Sequence, residues 1–242
     1  MRLTPVLCRA PRFLWYGCLL FCCVPASAFA QGKPLATEYV ECLRDDKGLD
    51  VRSRSMRTPV FDSKQGFRAY GMVVANHSPE GTCKNTSTVY LAEPAGTFRV
   101  ALQQTPELLP DGSVYDGNGI ESIQWSPSGT RALIQVSQWT WGTDSTWTTK
   151  YILLTPAEGS TRELPIPAAI QRYFAQPCAR LVSSMGWLDD GRISIELMPV
   201  KDVDEEGVAD PTPSCVAKPT LFSFAVDSGD FLKLALHRHC AH

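Results

Sequence analysis

Three segments of this chain share one pattern: an aromatic residue, a short polar turn that ends in glycine, and a β-prone run. The turn glycines are Gly66, Gly129 and Gly191, so the pattern recurs at steps of 63 and 62 residues. Glycine tolerates positive φ and is therefore suited to a tight connection between antiparallel strands. The repeat predicts three similar β units in one chain.

Each unit continues with a second pair of β-prone runs around a further glycine turn. These second glycines are Gly96, Gly159 and Gly229, which follow the first by 30, 30 and 38 residues. The third unit is longer because it contains an insertion with the acidic run 202–206, which we interpret as a solvated loop. Each unit therefore predicts a four-stranded antiparallel meander, at about residues 55–105, 118–167 and 180–236. The alternative is that a β-rich chain produces such glycine turns by chance.

The fold class predicted from these units is all-β. Apolar residues alternate at Ala132, Ile134 and Val136, and again at Ile193, Ile195 and Leu197, which indicates strands with one face packed against a neighbour. Helix signals are poor, and the best candidate is the segment 168–174, which stops before a proline.

The second unit carries a resemblance to a known repeat. Its segment Trp125–Arg131, followed by the apolar run Tyr151–Leu154 and a glycine turn, resembles the TolB-type, WD-repeat-like propeller repeat. Blades of that family read W-S-P-D-G-K/R before an apolar strand, and Ser128 stands here in the place of the aspartate. The motif is structural, so the resemblance implies a propeller-like fold and no particular activity.

The other two units match the same repeat less completely. The third unit keeps Trp187, Asp190 and Gly191 and lacks the proline, while the first keeps an aromatic residue, Gly66 and Arg68. Propellers have about 4–8 blades. Three units therefore leave open a hidden divergent blade, a ring completed by two chains as a homo-oligomer, or an open stack or sandwich.

The N-terminal segment 1–30 has the pattern of a cleavable signal peptide. Three arginines precede the apolar run 13–24, and Ala28 and Ala30 form an A-x-A cleavage site before Gln31. The apolar run is too short for a transmembrane helix, which needs about 20 residues. We therefore expect a periplasmic or secreted protein, residues 31–242, with no later membrane span. Cleavage changes the formal net charge from −2 to −5, which argues against nucleic-acid binding.

Four of the nine cysteines lie in the predicted signal peptide. The five that remain are Cys42, Cys83, Cys178, Cys215 and Cys240. None has C-x-x-C spacing, and export permits disulfides. An odd number allows two bridges at most within one chain, and the pair we favour is Cys178 with Cys215, which flank one unit.

Two groups of residues are candidate binding sites. Trp139, Trp141 and Trp147 are placed by the sequence on a hairpin, where exposed rings could stack on sugar or peptide ligands, although packing between sheets is the favoured interpretation. His237, His239 and His242 surround Cys240 in a tail that could bind zinc or copper; the alternative is a frayed terminus with a disulfide-bonded Cys240. The segment 111–119 is rich in oxygen donors, but a pair of glycine-rich turns is favoured over a calcium site.

No catalytic motif is present. The chain lacks G-x-S-x-G, H-E-x-x-H and the phosphate-binding glycine loop. The sequence therefore favours a non-catalytic binding or scaffold module for an unknown protein or small ligand, without a cofactor. The alternatives are a hydrolase or lyase that uses scattered residues such as Asp116, Asp144 or His237, and a metal-handling protein that uses the C-terminal tail.

Overall fold

The structure, a computed structural model, describes the greater part of the chain after residue 42. The residues described are 43–44, 50–52, 55–77, 83–105, 107–109, 112, 115, 117–140, 147–200 and 212–234; of 43–44, 50–52, 76–77, 83–84 and 147, only the backbone is described. The predicted signal peptide lies outside these residues. The first two strands, β1 (Leu43–Arg44) and β2 (Asp50–Arg52), form an antiparallel pair.

The other strands form three antiparallel sheets whose members follow one another in chain order. Sheet 1 consists of β3 (Ser55–Arg57), β4 (Phe61–Asp62), β5 (Arg68–His77), β6 (Cys83–Ala92) and β7 (Arg99–Gln104). Sheet 2 consists of β8 (Gly117–Trp125), β9 (Ala132–Trp139), β10 (Trp147–Thr155) and β11 (Ser160–Glu163). Sheet 3 consists of β12 (Leu181–Asp189), β13 (Arg192–Met198), β14 (Thr220–Ala225) and β15 (Phe231–Lys233). The predicted three meander units are confirmed, with one difference: β3 and β4 both pair with β5 and share the place of one strand.

The three sheets are stacked in chain order, and sheet 2 is covered on both faces. Ile134 and Ile152 of sheet 2 pack with residues of sheet 1, whereas Leu133 and Leu153 pack with residues of sheet 3. We call the face of a sheet toward the preceding sheet its N-side face and the opposite one its C-side face. The alternating apolar residues predicted for β9 and β13 are buried, and both sets lie on N-side faces.

Small residues on sheet 1 receive large residues from sheet 2. The C-side face of sheet 1 carries Ala69, Gly71 and Ala75, which are all buried. Ile120 of β8 lies so close to Gly71 that a Cβ atom at residue 71 would be 2.8 Å from Ile120 Cδ1. Gly71 is therefore required for sheet 2 to approach sheet 1 at this distance.

Each junction between sheets contains a hydrogen bond from a tryptophan. Trp125 Nε1 donates to the carbonyl oxygen of Phe61 in sheet 1 at 3.0 Å. Trp187 Nε1 donates to the carbonyl oxygen of Gln124 in sheet 2 at 2.9 Å. The repeated tryptophan thus has one physical role, which is to join the first strand of its sheet to the first strand of the preceding sheet.

Phe61 is the aromatic residue of the first unit that the sequence repeat aligns with these tryptophans, but it is not their structural equivalent. Trp125 lies opposite Ala132 at the start of β9, and the same place opposite the start of β5 belongs to Asp62, which pairs with Arg68. Phe61 is one residue earlier and packs toward sheet 2. The alignment was wrong because it matched residue types across turns of different length.

The glycine turns of the three units lie side by side at one edge of the stack. Gly129 has φ +78°, and a Cβ atom there would be 2.7 Å from the backbone nitrogen of Lys64 in the first unit. The turn of the second unit also contacts the turn of the third, because the backbone N–H of Ser128 donates to Asp190 Oδ1 at 2.8 Å. The prediction of positive φ holds for Gly66 and Gly129 and is wrong for Gly191, whose N–H instead donates to the Asp189 side chain at 2.9 Å.

One helix, α1 (Ile166–Phe174), connects sheets 2 and 3 and begins two residues before the predicted segment. Ile166 and Ile170 are buried in the core between the two sheets. Tyr173 packs edge-on against Phe222 and Phe231 of sheet 3 at centroid distances of 5.4 and 5.6 Å. Within the described residues, no helix is long and apolar enough to cross a membrane.

Candidate functional site

The edge of the stack opposite the glycine turns carries the longer connections. We call it the loop edge, and it is where β5 leads to β6, β9 to β10 and β13 to β14. The connections between successive sheets also begin and end there. Loops on one face of a rigid β scaffold are common positions for binding residues, so polar groups at this edge are candidates for ligand binding.

A polar cluster of Ser87, Asn118 and Gln138 lies between sheets 1 and 2 near the loop edge. The Ser87 hydroxyl donates to Asn118 Oδ1, which joins the two sheets. Asn118 Nδ2 donates to the backbone oxygen of Gln104 at 3.2 Å. Gln138 lies directly opposite Asn118 in the β8–β9 pair, so both side chains belong to the same face. All three residues of the cluster are buried.

The Gln138 carboxamide is the unusual member of the cluster. Gln138 is 0% exposed, and neither Nε2 nor Oε1 has a hydrogen-bond partner among the described residues. The Ser137 hydroxyl, on the opposite face of β9, has none there either. Buried polar side chains are nearly always paired, because an unpaired one lowers stability by about 1–3 kcal/mol. The Gln138 amide can still donate and accept hydrogen bonds.

Charge near the cluster is already balanced. Lys150 lies opposite Val136 in the β9–β10 pair, on the same face as Gln138. Its Nζ atom is 2.5 Å from Glu107 Oε1 and 3.6 Å from Glu163 Oε2. A ligand at the polar cluster would therefore meet amide and hydroxyl groups and a neutralised lysine, which suits an uncharged polar group.

Trp139 is enclosed next to this cluster. It is 3% exposed, and its ring covers Gly117 so closely that a Cβ atom there would be 2.5 Å from Trp139 Cζ2. Gly117, Trp139 and Trp147 are aligned across three strands, so Trp147 returns opposite Trp139 as predicted. This enclosure of Trp139 fits the packing interpretation; Trp141 lies outside the described residues, as does the side chain of Trp147.

The segment 111–119 differs from the predicted pair of glycine-rich turns. Gly117 and Gly119 belong to β8 and are buried, so the strand begins three residues before Ile120. Glycine is needed in this strand because the indole of Trp139 occupies the space where a side chain of residue 117 would lie.

The predicted disulfide between Cys178 and Cys215 is confirmed, with an S–S distance of 2.05 Å. It joins the connection after α1 to the chain before β14, both at the loop edge. A backbone bridge between Ala179 and Ser214 runs beside it. Cys42 and Cys240 lie outside the described residues, as does the side chain of Cys83.

The other predicted site residues are not described. His237, His239 and His242 lie outside the described residues, as do Asp116 and Asp144. Within the described part, no group of three or more His, Cys, Asp or Glu residues could hold a metal ion. The metal prediction for the C-terminal tail therefore stays a prediction.

The residues with shifted pKa values do not form one cluster. Burial, with a smaller contribution from Glu121, raises the pKa of Tyr151 to about 12, so the phenol keeps its proton. Hydrogen bonds from Arg192 and the Gly191 backbone lower the pKa of Asp189. Hydrogen bonds from Ser128 lower the pKa of Asp190. Both aspartates lie at the glycine-turn edge, away from the polar cluster.

No protein-family model matches this chain, and no curated protein matches it either. The polar cluster of Ser87, Asn118 and Gln138 was not predicted from the sequence. The signal was the pair Ser137-Gln138 at the end of an apolar strand, but period-2 alternation alone assigns such residues to a solvent-facing end.

Proposed function

We propose that this chain is an exported, non-catalytic binding module built of TolB-like propeller repeats, and that it takes its ligand at the loop edge. The observation that carries the proposal is the Gln138 carboxamide, which lies buried there with two unpartnered polar atoms among the described residues. A group kept at a cost to stability is typical of functional positions. Gln138 is thus the residue that we assign to ligand recognition.

Other features support the same interpretation. The Cys178–Cys215 disulfide fits an oxidising compartment and holds two loop-edge segments together. The neutral surroundings of Gln138 favour an uncharged ligand with neighbouring donor and acceptor atoms, such as an amide or a sugar. In this proposal the protein is located in the periplasm or outside the cell, after cleavage near Ala30.

The test compares wild type with Gln138→Leu. Native mass spectrometry of the protein purified gently from a periplasmic extract should show a bound species on wild type and none on the variant. The variant should also be more stable by about 1–3 kcal/mol in urea unfolding, because it removes the unpaired amide. This combination separates loss of binding from loss of fold.

Gln103→Leu is the matched control, because Gln103 carries the same side chain on β7 of sheet 1 and is exposed. It should keep the bound species and the wild-type stability. The proposal is wrong if Gln138→Leu retains the same bound species as wild type, or if wild type carries no species at all.

A further inference from the structure

The Gln138 carboxamide is enclosed, so a ligand reaches it only when part of the protein moves aside. Gln138 is 0% exposed and shares the N-side face of sheet 2 with Asn118. The connection between sheets 1 and 2 leaves β7 at Gln104, beside this face. Two contacts show that the first residues of this connection lie in front of Gln138.

The two contacts hold the connection on either side of Gln138. The backbone oxygen of Gln104 accepts a hydrogen bond from Asn118 Nδ2 at 3.2 Å, and Asn118 belongs to β8. Three residues later, Glu107 Oε1 lies 2.5 Å from Nζ of Lys150, which belongs to β10. Gln138 lies in β9, the strand between β8 and β10. The chain from Gln104 to Glu107 therefore passes from β8 to β10 in front of β9.

The lengths involved fit a direct crossing close to Gln138. Neighbouring strands are about 4.8 Å apart, so β8 and β10 are separated by about 10 Å. Three residues of extended chain also span about 10 Å, which leaves little slack for a detour. Lys150 lies on the same face of β10 as Thr148, the residue opposite Gln138. We call residues 104–107, with their ends at Gln104 and Glu107, the strap.

The two ends of the strap are held in different ways. Gln104 belongs to β7 and pairs with Ser87 of β6, so its position is fixed by sheet 1. The backbone oxygen of Glu107 accepts a hydrogen bond from Tyr115 N–H at 3.0 Å, but Tyr115 belongs to the same connection. Among the described contacts, the ion pair with Lys150 is the one that holds the Glu107 end to sheet 2.

Lys150 has a second carboxylate within reach. Its Nζ atom is 3.6 Å from Glu163 Oε2 in β11. The Lys150 side chain is only 17% exposed, and a largely buried charge without a partner is strongly destabilising. The Glu107 side chain is 47% exposed, so water can solvate its carboxylate when it leaves. The release of Glu107 therefore leaves Lys150 paired with Glu163 and no buried charge alone.

We propose that the Lys150–Glu107 ion pair is a latch that controls access to Gln138. While the pair is formed, the strap covers the carboxamide. When Glu107 leaves, Lys150 keeps Glu163 as its partner, and the strap moves away about its fixed end at Gln104. The inference rests on the proposed binding function of Gln138, for which it supplies the entrance. Salt screens partly exposed ion pairs, so the site opens more often as ionic strength rises.

The experiment measures how fast N-ethylmaleimide modifies the thiol introduced by Gln138→Cys, read by mass spectrometry of the peptide that contains residue 138. Adding Glu107→Gln should raise this rate about 5- to 20-fold, because the latch loses its charge. Adding Glu163→Gln should lower it about 2- to 5-fold, because Lys150 then has no second partner when the strap opens. About 0.5 M NaCl should raise the rate in Gln138→Cys alone and have little effect once Glu107→Gln is present.

A second measurement uses the chain without Gln138→Cys, so it does not depend on the folding of that variant. The rate at which acetic anhydride acetylates Lys150 should be low in wild type compared with that of the exposed Lys218. Glu107→Gln should raise the rate at Lys150 about 5-fold and leave that at Lys218 unchanged. Equal rates at Lys150 in wild type and Glu107→Gln would count against the latch.

Glu93→Gln is the matched control, because Glu93 forms an exposed ion pair with Arg99 at 3.5 Å, at the glycine-turn edge of sheet 1. It should leave the labelling rate unchanged. The latch is overturned if Glu107→Gln leaves the rate unchanged, or if Glu93→Gln or Glu163→Gln raises it as much. Labelling needs no ligand, so this failure is distinct from failure of the binding site, which native mass spectrometry of wild type and Gln138→Leu reports.

Discussion

Two glycines with similar backbone angles have different surroundings and therefore different importance. Gly129 has φ +78° and lies against the first unit, where a Cβ atom would be 2.7 Å from Lys64 N. Gly229 has φ +75°, and nothing lies within 4 Å of its Cβ position. Gly129→Ala should therefore cost about 2–5 kcal/mol, as the sum of backbone strain and overpacking, and Gly229→Ala about 1–2 kcal/mol from strain alone.

Urea unfolding of the two variants checks this prediction. Gly229→Ala acts as the control, because it introduces the same methyl group at nearly the same φ without the contact to a neighbouring unit. Equal losses of stability in the two variants would contradict the claim that the turn of unit two is fixed by its closeness to unit one.

Single residues differ in how far the sequence predicts their role. The turn at Gly129 was predictable, since glycine after polar turn residues has a local physical cause. The burial of Gln138 was not, because β9 continues for three residues beyond Val136, where its apolar alternation ends, and only the packing of neighbouring sheets buries these residues. Tertiary packing, which no local pattern reports, decides such positions.

At the scale of elements, each tryptophan of the repeat joins two neighbouring sheets by one hydrogen bond. Trp125→Phe and Trp187→Phe should each lower stability by about 1–3 kcal/mol, because the ring packing is largely kept while a carbonyl oxygen of the preceding sheet loses its donor. The two losses should be similar, since the two hydrogen bonds have nearly the same length, 3.0 and 2.9 Å. Thermal and urea unfolding measure both.

Tyr90→Phe is a suitable comparison for these two variants, because it also removes a polar atom from an aromatic ring, but on the N-side face of sheet 1. It should change stability by less than about 0.5 kcal/mol, as most surface substitutions do. A loss at Tyr90 as large as that at Trp125 would argue against a special role of the indole N–H groups.

The elements themselves were largely predictable from the sequence. Glycine turns and period-2 alternation have local causes, and the repeat showed the same pattern three times, so the three meanders followed. The equivalence of Phe61 with Trp125 failed because one aromatic residue resembles another in a sequence. Only the strand register, which places Asp62 opposite Arg68, shows that Phe61 and Trp125 lie on opposite faces of their own sheets.

For the whole molecule, the order of the units in the sequence predicted the order of the three sheets. It did not predict what packs on the outer faces of sheets 1 and 3. No periodicity in the sequence carries that information. Arg57 lies opposite Met72 as Ile120 lies opposite Val136. Only the fold shows that these positions correspond, because β3 and β4 divide one strand position between them. For this reason the sequence left ring and open stack as alternatives.

Stability should be distributed according to the number of covered faces. Sheet 2 has apolar side chains buried on both faces, whereas sheets 1 and 3 each share one apolar core with it. Local opening of β9 or β10 must therefore break two cores, while opening of β15 breaks one. Hydrogen exchange measured by mass spectrometry should find the slowest amides in β9 and β10. Slower exchange in β5–β6 or β13–β14 would show instead that an outer sheet, and not the central one, holds the most stable part of the fold.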